Sequence, residues 1–210
     1  MSEWVDLTVE VGKNYLVFPG DPKLQEELIK SNANDGFNLK QYSLNMHIGT
    51  HVDFKNHVLH LKSKEVVDFN DFFGKGNKIC PKINDNVVST SDIIAQYEAL
   101  RYQEKILFLD LKHSKKFNSA EYFNYPVFEP DFFKFLVNYN IKILGADIPS
   151  FNYKDEKALR MHKDLLGRGL YPIENLTNLD KISEHFYFLG LPLKINDLDA
   201  SMIRAIAKSI

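Results

Sequence analysis

A histidine-rich stretch at residues 46–60 carries the side chains whose types and spacing could do chemistry. It reads MHIGTHVDFKNHVLH and holds four of the chain's seven histidines together with one aspartate. Imidazole nitrogens and a carboxylate oxygen are ligands that suit zinc, and also manganese or iron. The stretch therefore raises the hypothesis of a divalent metal site, against the alternative of a strand whose polar face is solvated.

The residues around these histidines alternate between apolar and polar, which is the pattern of a strand with one buried face. β-Branched residues and a glycine near the first two histidines disfavour a helix. We therefore predict one long strand over residues 41–54. On such a strand His47, His51 and Asp53 point the same way.

The spacing on this strand decides which side chains can share an ion. Neighbours on one face lie about 6.6 Å apart, so His51 and Asp53 can converge on one ion. His47 lies further off and needs strand twist or a bulge to reach the same ion. Gly49 is predicted to leave room between the two histidines for the ion and its water.

Length and composition limit the classes of protein to which this chain can belong. The chain has 210 residues, 44% hydrophobic and 26% charged, which suits one globular domain over residues 1–210. A formal net charge of -2 argues against nucleic acid or an anionic membrane as the partner. The single cysteine excludes an internal disulfide, and no apolar run approaches the roughly 18 residues of a membrane span. A cytoplasmic protein is the resulting expectation.

Strands alternate with a few helices along the rest of the chain, which indicates an α/β or α+β class built on a mixed sheet. Continuous apolar runs predict two buried central strands, at residues 105–111 and 141–149. Helices are predicted from Ser89 or Ser91 to Leu100, over 129–140 and over 158–166. Less regular patterns predict a short helix or irregular segment at 24–32, a loop at 69–79, a bent strand or strand pair at 185–195, and either strand or helix at 199–210.

Most of the histidine-rich stretch resembles a known signature. HIGTHVDFKNH is similar to the H-x-G-T-H-x-D-x-x-x-H motif of the cyclase family of metal-dependent hydrolases, which includes bacterial kynurenine formamidase. The resemblance extends along almost the whole chain, through WVDLTVEV, FPGDP, MHKDLLGRGLYPIENLTNL and LPLKINDLDASMIRAIA. It implies a swivelling β/β/α domain with a mixed sheet or barrel-like core flanked by helices. It also implies a homo-oligomer, which we expect to be a homodimer or a homotetramer.

The resemblance implies a role for six residues. Five are ligands of a site for one or two divalent ions, zinc or alternatively manganese: His47, His51, Asp53, His162 and Glu174. His57 matches the family's catalytic histidine, which is not a ligand. Taken alone, His162 and Glu174 are unremarkable polar residues, and only the resemblance singles them out.

Three positions depart from the family's pattern without removing a ligand. Proline is usual where Lys55 and Met202 stand, and an aromatic residue is usual where Val58 stands. Lys55 shares the odd parity of the ligands, so we expect it to reach the site entrance. Phe18 could pack on an aromatic substrate, although a place in the core is the stronger expectation.

The resemblance implies hydrolysis of an amide or formamide bond in a small, possibly aromatic substrate, of the kynurenine formamidase type. A metal would lower the pKa of bound water toward about 7, and His57 would carry a proton from the water to the leaving nitrogen. Gly49 and Thr50 are expected to hold the histidines in place. Two alternatives stay open: a hydrolase that opens a cyclic amide of the isatin type, and a non-catalytic metal- or small-molecule-binding module. His57 favours an enzyme over the binding module, because the resemblance gives it no role as a metal ligand.

Overall fold

One mixed β-sheet organises the part of the chain that the computed structural model describes, namely residues 3–63, 65–154 and 159–210. A two-stranded and a three-stranded sheet accompany it. In chain order the strands are β1 Val5–Asp6, β2 Gln25–Lys30, β3 Leu39–Ser43, β4 His51–Asp53, β5 Phe73–Ile79, β6 Ile83–Asn84, β7 Val87–Val88, β8 Ile106–Leu109, β9 Val127–Phe128, β10 Ile143–Ala146, β11 Tyr171–Glu174, β12 His185–Leu189, β13 Ala200–Met202 and β14 Ile206–Ser209.

The helices are few and short. Those within the described residues are α1 Asn32–Asp35, α2 Thr90–Ala99, α3 Phe132–Asn138 and α4 Arg160–Gly167, with 3-10 helices at Lys55–His57, Phe69–Phe72, His113–Lys116, Ala120–Phe123 and Leu179–Lys181. The Ser89 hydroxyl accepts a hydrogen bond from the Asp92 N–H and caps α2, as its sequence predicted. None of these helices is long and apolar enough to cross a membrane.

Four parallel strands form the middle of the large sheet. Within the described residues the sheet has nine strands in the spatial order β1-β14-β12-β5-β8-β10-β11-β4-β13, and β5, β8, β10 and β11 run parallel to one another. The strands on either side pair antiparallel. Every residue of β8 and β10 is buried, which explains their continuous apolar runs, because both faces of a central strand are covered.

The sheet has to curl, because β13 and β14 are joined by only residues 203–205. In a flat sheet these two strands would lie about 34 Å apart at the usual strand spacing. The connection can span at most about 14 Å. Residues of the connection bond across the gap: Ile203 N–H donates to Thr50 O at 3.1 Å, and Ala205 O accepts from Leu7 N–H at 2.8 Å. The predicted mixed sheet with a barrel-like core is therefore confirmed.

The two faces of the sheet bury separate cores. Helices α2, α3 and α4 cover the outer face, where side chains such as Leu107 and Leu144 meet Ile93 and Phe135. The inner, concave face holds Phe108 and its neighbours from β10, β11, β12 and the N-terminal segment. The helices thus cover one face, as predicted, and the curl of the sheet encloses the other.

Several predicted elements differ from the structure. The segment 24–32 contains strand β2, whose residues are all exposed, so local pairing with β3 and not burial makes it extended. The predicted loop at 69–79 contains β5, a central strand in which the Phe186 ring occupies the space beside Gly76. The segment 199–210 forms two strands, and strand structure in 185–195 ends at Leu189. Ala158, the predicted start of the third helix, lies outside the described residues.

The predicted long strand over 41–54 is also wrong. Its residues form the end of β3, a turn at residues 46–50 and the short strand β4. The apolar and polar alternation continues through the turn, so the pattern alone does not mark the break.

Two glycines of the large sheet make room for a stacked pair of aromatic rings. Gly145 on β10 lies directly opposite Phe108 on β8, and Gly76 on β5 lies opposite Phe186 on β12. The two rings stack with centroids 4.9 Å apart. A Cβ at position 145 would lie 2.5 Å from Phe108 Cδ1, so the ring occupies the space that a side chain would need.

We expect Gly145→Ala to lower the free energy of unfolding by about 1–3 kcal/mol, because the added methyl group overpacks this core. Gly167→Ala is the matched control: in the described residues no atom lies within 4 Å of a Cβ at this exposed helical position. The control should change stability by less than about 1 kcal/mol. Urea denaturation of both variants at equal metal content measures the difference, and equal midpoints would contradict the packing argument.

Candidate metal centre

Strand pairing around β4 brings residues that are distant in sequence together. β4 lies between β11 and β13, with Glu174 directly opposite His51. Side chains of directly opposed residues lie about 5 Å apart on one face of an antiparallel pair. The register alone therefore places the Glu174 carboxylate beside the His51 ring. His162 joins them from α4, which packs against β11 and against the 3-10 helix Lys55–His57.

His47 reaches the same place from the turn that precedes β4. Gly49 in this turn has φ +69°, in the left-handed region that favours glycine. A Cβ on Gly49 would lie 2.5 Å from Val11 Cγ2. The glycine therefore allows the N-terminal segment to approach the turn, and the prediction that it makes room for an ion is wrong.

The five predicted ligands converge on one buried point. Asp53 Oδ1 lies 3.0 Å from His47 Nδ1 and 3.3 Å from His51 Nε2, while Asp53 Oδ2 lies 3.3 Å from His162 Nε2. Glu174 Oε2 lies 3.3 Å from His51 Nε2, and Glu174 Oε1 lies 3.0 Å from His162 Nε2. Each carboxylate thus offers one oxygen to His51 and the other to His162.

These atoms fit a metal ion better than they fit one another. Among the described residues, His51 Nε2, both Asp53 carboxylate oxygens and His162 Nδ1 are buried without an aligned hydrogen-bond partner. Unpartnered buried polar atoms are costly. Ligands about 2.05 Å from a tetrahedral zinc are about 3.3 Å from each other, and the observed separations of 3.0–3.3 Å match that spacing. A cation between His51 and Asp53 would satisfy their free lone pairs, whereas His162 faces the carboxylates through Nε2 and not through Nδ1.

The electrostatics of the protein groups point the same way. Burial lowers the pKa of His51 and of His162, but their close contacts with Asp53 and Glu174 outweigh burial and raise each pKa to about 10. Burial raises the pKa of Asp53, yet the three histidines around it hold that pKa well below its usual value. Two carboxylates therefore stay ionised in the interior, and a divalent ion would displace protons from the histidines.

A network of hydrogen bonds orients His51. Its Nδ1 lies 2.9 Å from Gly49 O, which fixes the ring so that Nε2 faces the carboxylates. The Asn175 side-chain amide also donates to Gly49 O, at 2.8 Å. The Thr50 hydroxyl donates to Asn175 O at 2.6 Å and accepts from Val9 N–H. The predicted supporting roles of Gly49 and Thr50 agree with these contacts, whereas sequence reasoning missed Asn175.

His57 lies beside the cluster and outside its buried centre. It ends the 3-10 helix Lys55–His57, and its ring centroid is 4.2 Å from that of His47 and 5.8 Å from that of His162. Burial, together with the neighbouring histidines, lowers the pKa of His57 despite the Asp53 charge. The ring is therefore neutral near pH 7 and able to accept a proton.

Asp199 is a further acid near the cluster that sequence reasoning missed. Its Oδ2 lies 3.3 Å from His47 Nε2, and the side chain is exposed. One potential ligand atom each from Asp199, His47 and His57 lies within 4.8 Å of the other two. The signal that could have found it is its place one residue before β13, the strand that pairs with β4.

A cavity of about 410 Å³ opens onto the cluster, and it is rimmed by aromatic residues. Its wall contains His47, His51, Asp53, His57, His162 and Glu174, together with Tyr15, Phe18, Tyr122 and Phe123. Phe18 is 41% exposed and packs edge-on against Phe123 with centroids 5.8 Å apart. The expectation that Phe18 belongs to the core is therefore wrong, and its ring is available to a ligand.

Lys55 does not reach this cavity. Its backbone N–H donates to Glu65 Oε2 at 2.8 Å, and its Nζ lies 3.8 Å from Glu65 Oε1. The predicted role at the site entrance is wrong, because β4 ends at Asp53 and the parity argument fails in the 3-10 helix that follows.

Comparison with known protein sequences supports one family. The family model described as "Putative cyclase" matches residues 5–153. Kynurenine formamidase of Bacillus cereus is 29% identical over 215 aligned residues, covering 100% of this chain and 99% of the relative. An uncharacterized protein of Methanocaldococcus jannaschii is 34% identical over 195 residues, covering 90% of this chain and 91% of the relative.

Solved structures share the fold. An isatin hydrolase bound to the product analogue thioisatinate superposes with a TM-score of 0.84 at 21% identity, covering 99% of this chain and 92% of the other. A predicted metal-dependent hydrolase from Bacillus stearothermophilus gives 0.82 at 20% identity, with both chains covered completely. Since the family model matches well over half of the residues and the relatives extend over the whole chain, this protein belongs to the cyclase family.

Proposed function

We propose that this chain is a metal-dependent amidohydrolase that cleaves an amide or formamide bond of a small aromatic substrate, as the kynurenine formamidases among its relatives do. One observation carries the proposal. A buried set of three histidines and two carboxylates lies next to a fourth histidine, His57, at the end of an aromatic-rimmed cavity. A cavity of about 410 Å³ is of the size that holds one small ligand.

Two ions fit the site better than one. Asp53 and Glu174 each direct one oxygen toward His51 and the other toward His162. His47, His51 and Asp53 would hold one ion, and Asp53, His162 and Glu174 would hold the second. The three imidazole groups favour zinc, and the two carboxylates make manganese the alternative.

When bound, such ions acidify water and withdraw electron density from a carbonyl group. The protein's own groups supply the remainder of the reaction. Neutral His57 takes a proton from the attacking water, whose oxygen bonds to the carbonyl carbon. When the C–N bond breaks, His57 returns that proton to the departing nitrogen. The rings of Phe18 and Phe123 offer apolar surface to an aromatic substrate at the cavity rim.

A cyclic amide of the isatin type is the second candidate substrate. The close structural match to an isatin hydrolase favours it, since opening a cyclic amide needs the same attack on a carbonyl. Assays on N-formylkynurenine and isatin separate the two. The third alternative, a binding module without activity, gives no reason for a neutral histidine beside the cluster.

We also propose that the chain forms a homodimer or a homotetramer. The β2–β3 hairpin stands apart from the sheet, and all its strand residues are exposed, among them Leu28, Leu39 and Tyr42. A second cavity, of about 530 Å³, has apolar walls that include Phe69 and Ile195. A second copy that covers these surfaces would remove them from water.

The metal proposal predicts about two divalent ions per chain in purified protein, by elemental mass spectrometry. His51→Ala should lose most of the metal, because His51 contacts both carboxylates. His162→Ala should lose the second ion and keep the first. His60→Ala is the control, since this histidine is exposed and outside the cluster. Full metal occupancy in His51→Ala would contradict the assignment of His51 as a ligand.

The role of His57 predicts a separation of metal binding from turnover. His57→Ala should keep its metal and lose turnover by about 10²–10⁴-fold, the usual contribution of a general acid–base group. The Michaelis constant should change less, because the substrate still meets the same cavity walls. Metal content and rate are measured on the same preparations. A metal-free His57→Ala would make His57 a ligand, and an undiminished rate would place the proton carrier elsewhere.

The assembly proposal predicts a mass of two or four chains by light scattering at micromolar concentration. Leu28→Glu combined with Leu39→Glu should shift the protein toward monomer if the hairpin is the contact, because carboxylates are costly in an apolar interface. Tyr102→Glu, at an exposed position away from the hairpin, should leave the mass unchanged. A monomeric parent protein would contradict the proposal.

A further inference from the structure

Two tyrosines, Tyr15 and Tyr122, line the site cavity, and their hydroxyl groups make different hydrogen bonds. The Tyr122 hydroxyl donates to Asn175 Oδ1 at 2.9 Å, so its proton is engaged. The Tyr15 hydroxyl instead accepts a hydrogen bond from Gly49 N–H at 3.1 Å. Within the described part of the chain, the hydrogen bonds include no acceptor for the Tyr15 proton, which therefore remains available to a ligand in the cavity.

The position of the Tyr15 hydroxyl is fixed by its surroundings. The ring packs on Phe117 with centroids 5.5 Å apart, and the next residue's backbone N–H donates to Asn118 Oδ1 at 3.0 Å. The hydroxyl is held at Gly49, whose carbonyl orients His51. Gly49 therefore contacts Tyr15 through its N–H and a predicted metal ligand, His51, through its carbonyl.

The hydroxyl also keeps its proton. Burial raises the pKa of Tyr15 to about 12, and the negative charge of Glu174 adds to this, while the Gly49 N–H acts in the opposite direction. At neutral pH the group is a hydrogen-bond donor and not an acid that would lose its proton to water.

We propose that the Tyr15 hydroxyl donates a hydrogen bond to the oxygen of the scissile carbonyl as negative charge develops there. The inference rests on the proposed hydrolase function and adds to it the group that stabilises this charge. When water oxygen bonds to the carbonyl carbon, the π electron pair of the C=O bond moves onto the carbonyl oxygen. The pair returns to re-form C=O as the C–N bond breaks, and the nitrogen takes its proton from His57. Tyr15 keeps its proton throughout, so its contribution is electrostatic.

Tyr15→Phe tests the proposal, because it removes the hydroxyl and keeps the ring that packs on Phe117. We expect unchanged metal content, a turnover number lower by about 10²- to 10³-fold and a smaller change in the Michaelis constant. Tyr97→Phe is the matched control: it also removes a buried tyrosine hydroxyl, which donates to Glu104 O at 2.7 Å away from the cavity. The control should keep the parent protein's kinetic constants.

Binding of benzylphosphinic acid gives a readout that does not depend on turnover. Its tetrahedral group, with a hydrogen and two oxygens on phosphorus, mimics a formamide to which water has added. Calorimetry with the metal-loaded protein should show affinity weaker by about 10- to 100-fold in Tyr15→Phe. Affinity for kynurenine, which lacks the tetrahedral group, should change less than about twofold.

The outcomes distinguish this inference from the function on which it rests. If the metal-loaded parent protein hydrolyses neither N-formylkynurenine nor isatin, the proposed function fails and the role of Tyr15 fails with it. If the parent protein is active and Tyr15→Phe keeps its turnover or its phosphinate affinity, only the role of Tyr15 is overturned. Loss of metal from Tyr15→Phe would also overturn it, because Tyr15 would then act through Gly49 and His51.

Discussion

The short connection from β13 to β14 constrains the whole molecule. Its three residues, 203–205, join strands from opposite ends of the sheet order, so the sheet curls until those ends meet. Hydrogen bonds from Leu7 N–H to Ala205 O and from Ile203 N–H to Thr50 O join the edges. The N-terminal segment consequently lies against the turn before β4. The pairing of β4 with β11 brings His51 and Glu174 together, and the closure of the sheet adds the segment that contains Tyr15.

The buried polar residues of the candidate metal centre lower the stability of the fold. Polar side chains are concentrated and buried here, beside a core that is otherwise apolar: Thr50, His51, Asp53, His162, Glu174 and Asn175. Removing charges from water costs several kcal/mol per ion, and apolar residues of the same size often stabilise a protein more. The hydrogen bonds through Gly49 O and Asn175 recover part of this cost and hold the ligands in a fixed geometry. Binding of a metal ion to the folded state would offset more of the cost.

Sequence patterns predict the parts of this structure that local chemistry determines. Alternation places His51 and Asp53 on one face, since both lie on β4, and apolar runs locate β8 and β10 because both of their faces are covered. The pattern misses the turn at Gly49, because apolar and polar residues continue to alternate there. The alternation does not show that Gly49 has a positive φ. It also fails for residues 199–210, which are strands only because the closing sheet supplies their partners. His162 and Glu174 come from elements far along the chain, and only the family resemblance connected them to β4. Asn175 and Asp199 act through contacts that tertiary packing alone creates.

The pairing of β4 with β13 has a consequence for the order in which the protein is made. His51 and Asp53 are synthesised early, but their strand lies between β11 and β13, which include Glu174 and Met202. The chain must therefore be synthesised through Glu174 before the ligand set can close. Pairings between segments so distant in sequence also form slowly, because loop closure precedes any gain from contact. Metal binding is thus a late event in folding. Until it occurs, the histidines and carboxylates are separate groups that each bind a metal ion only weakly.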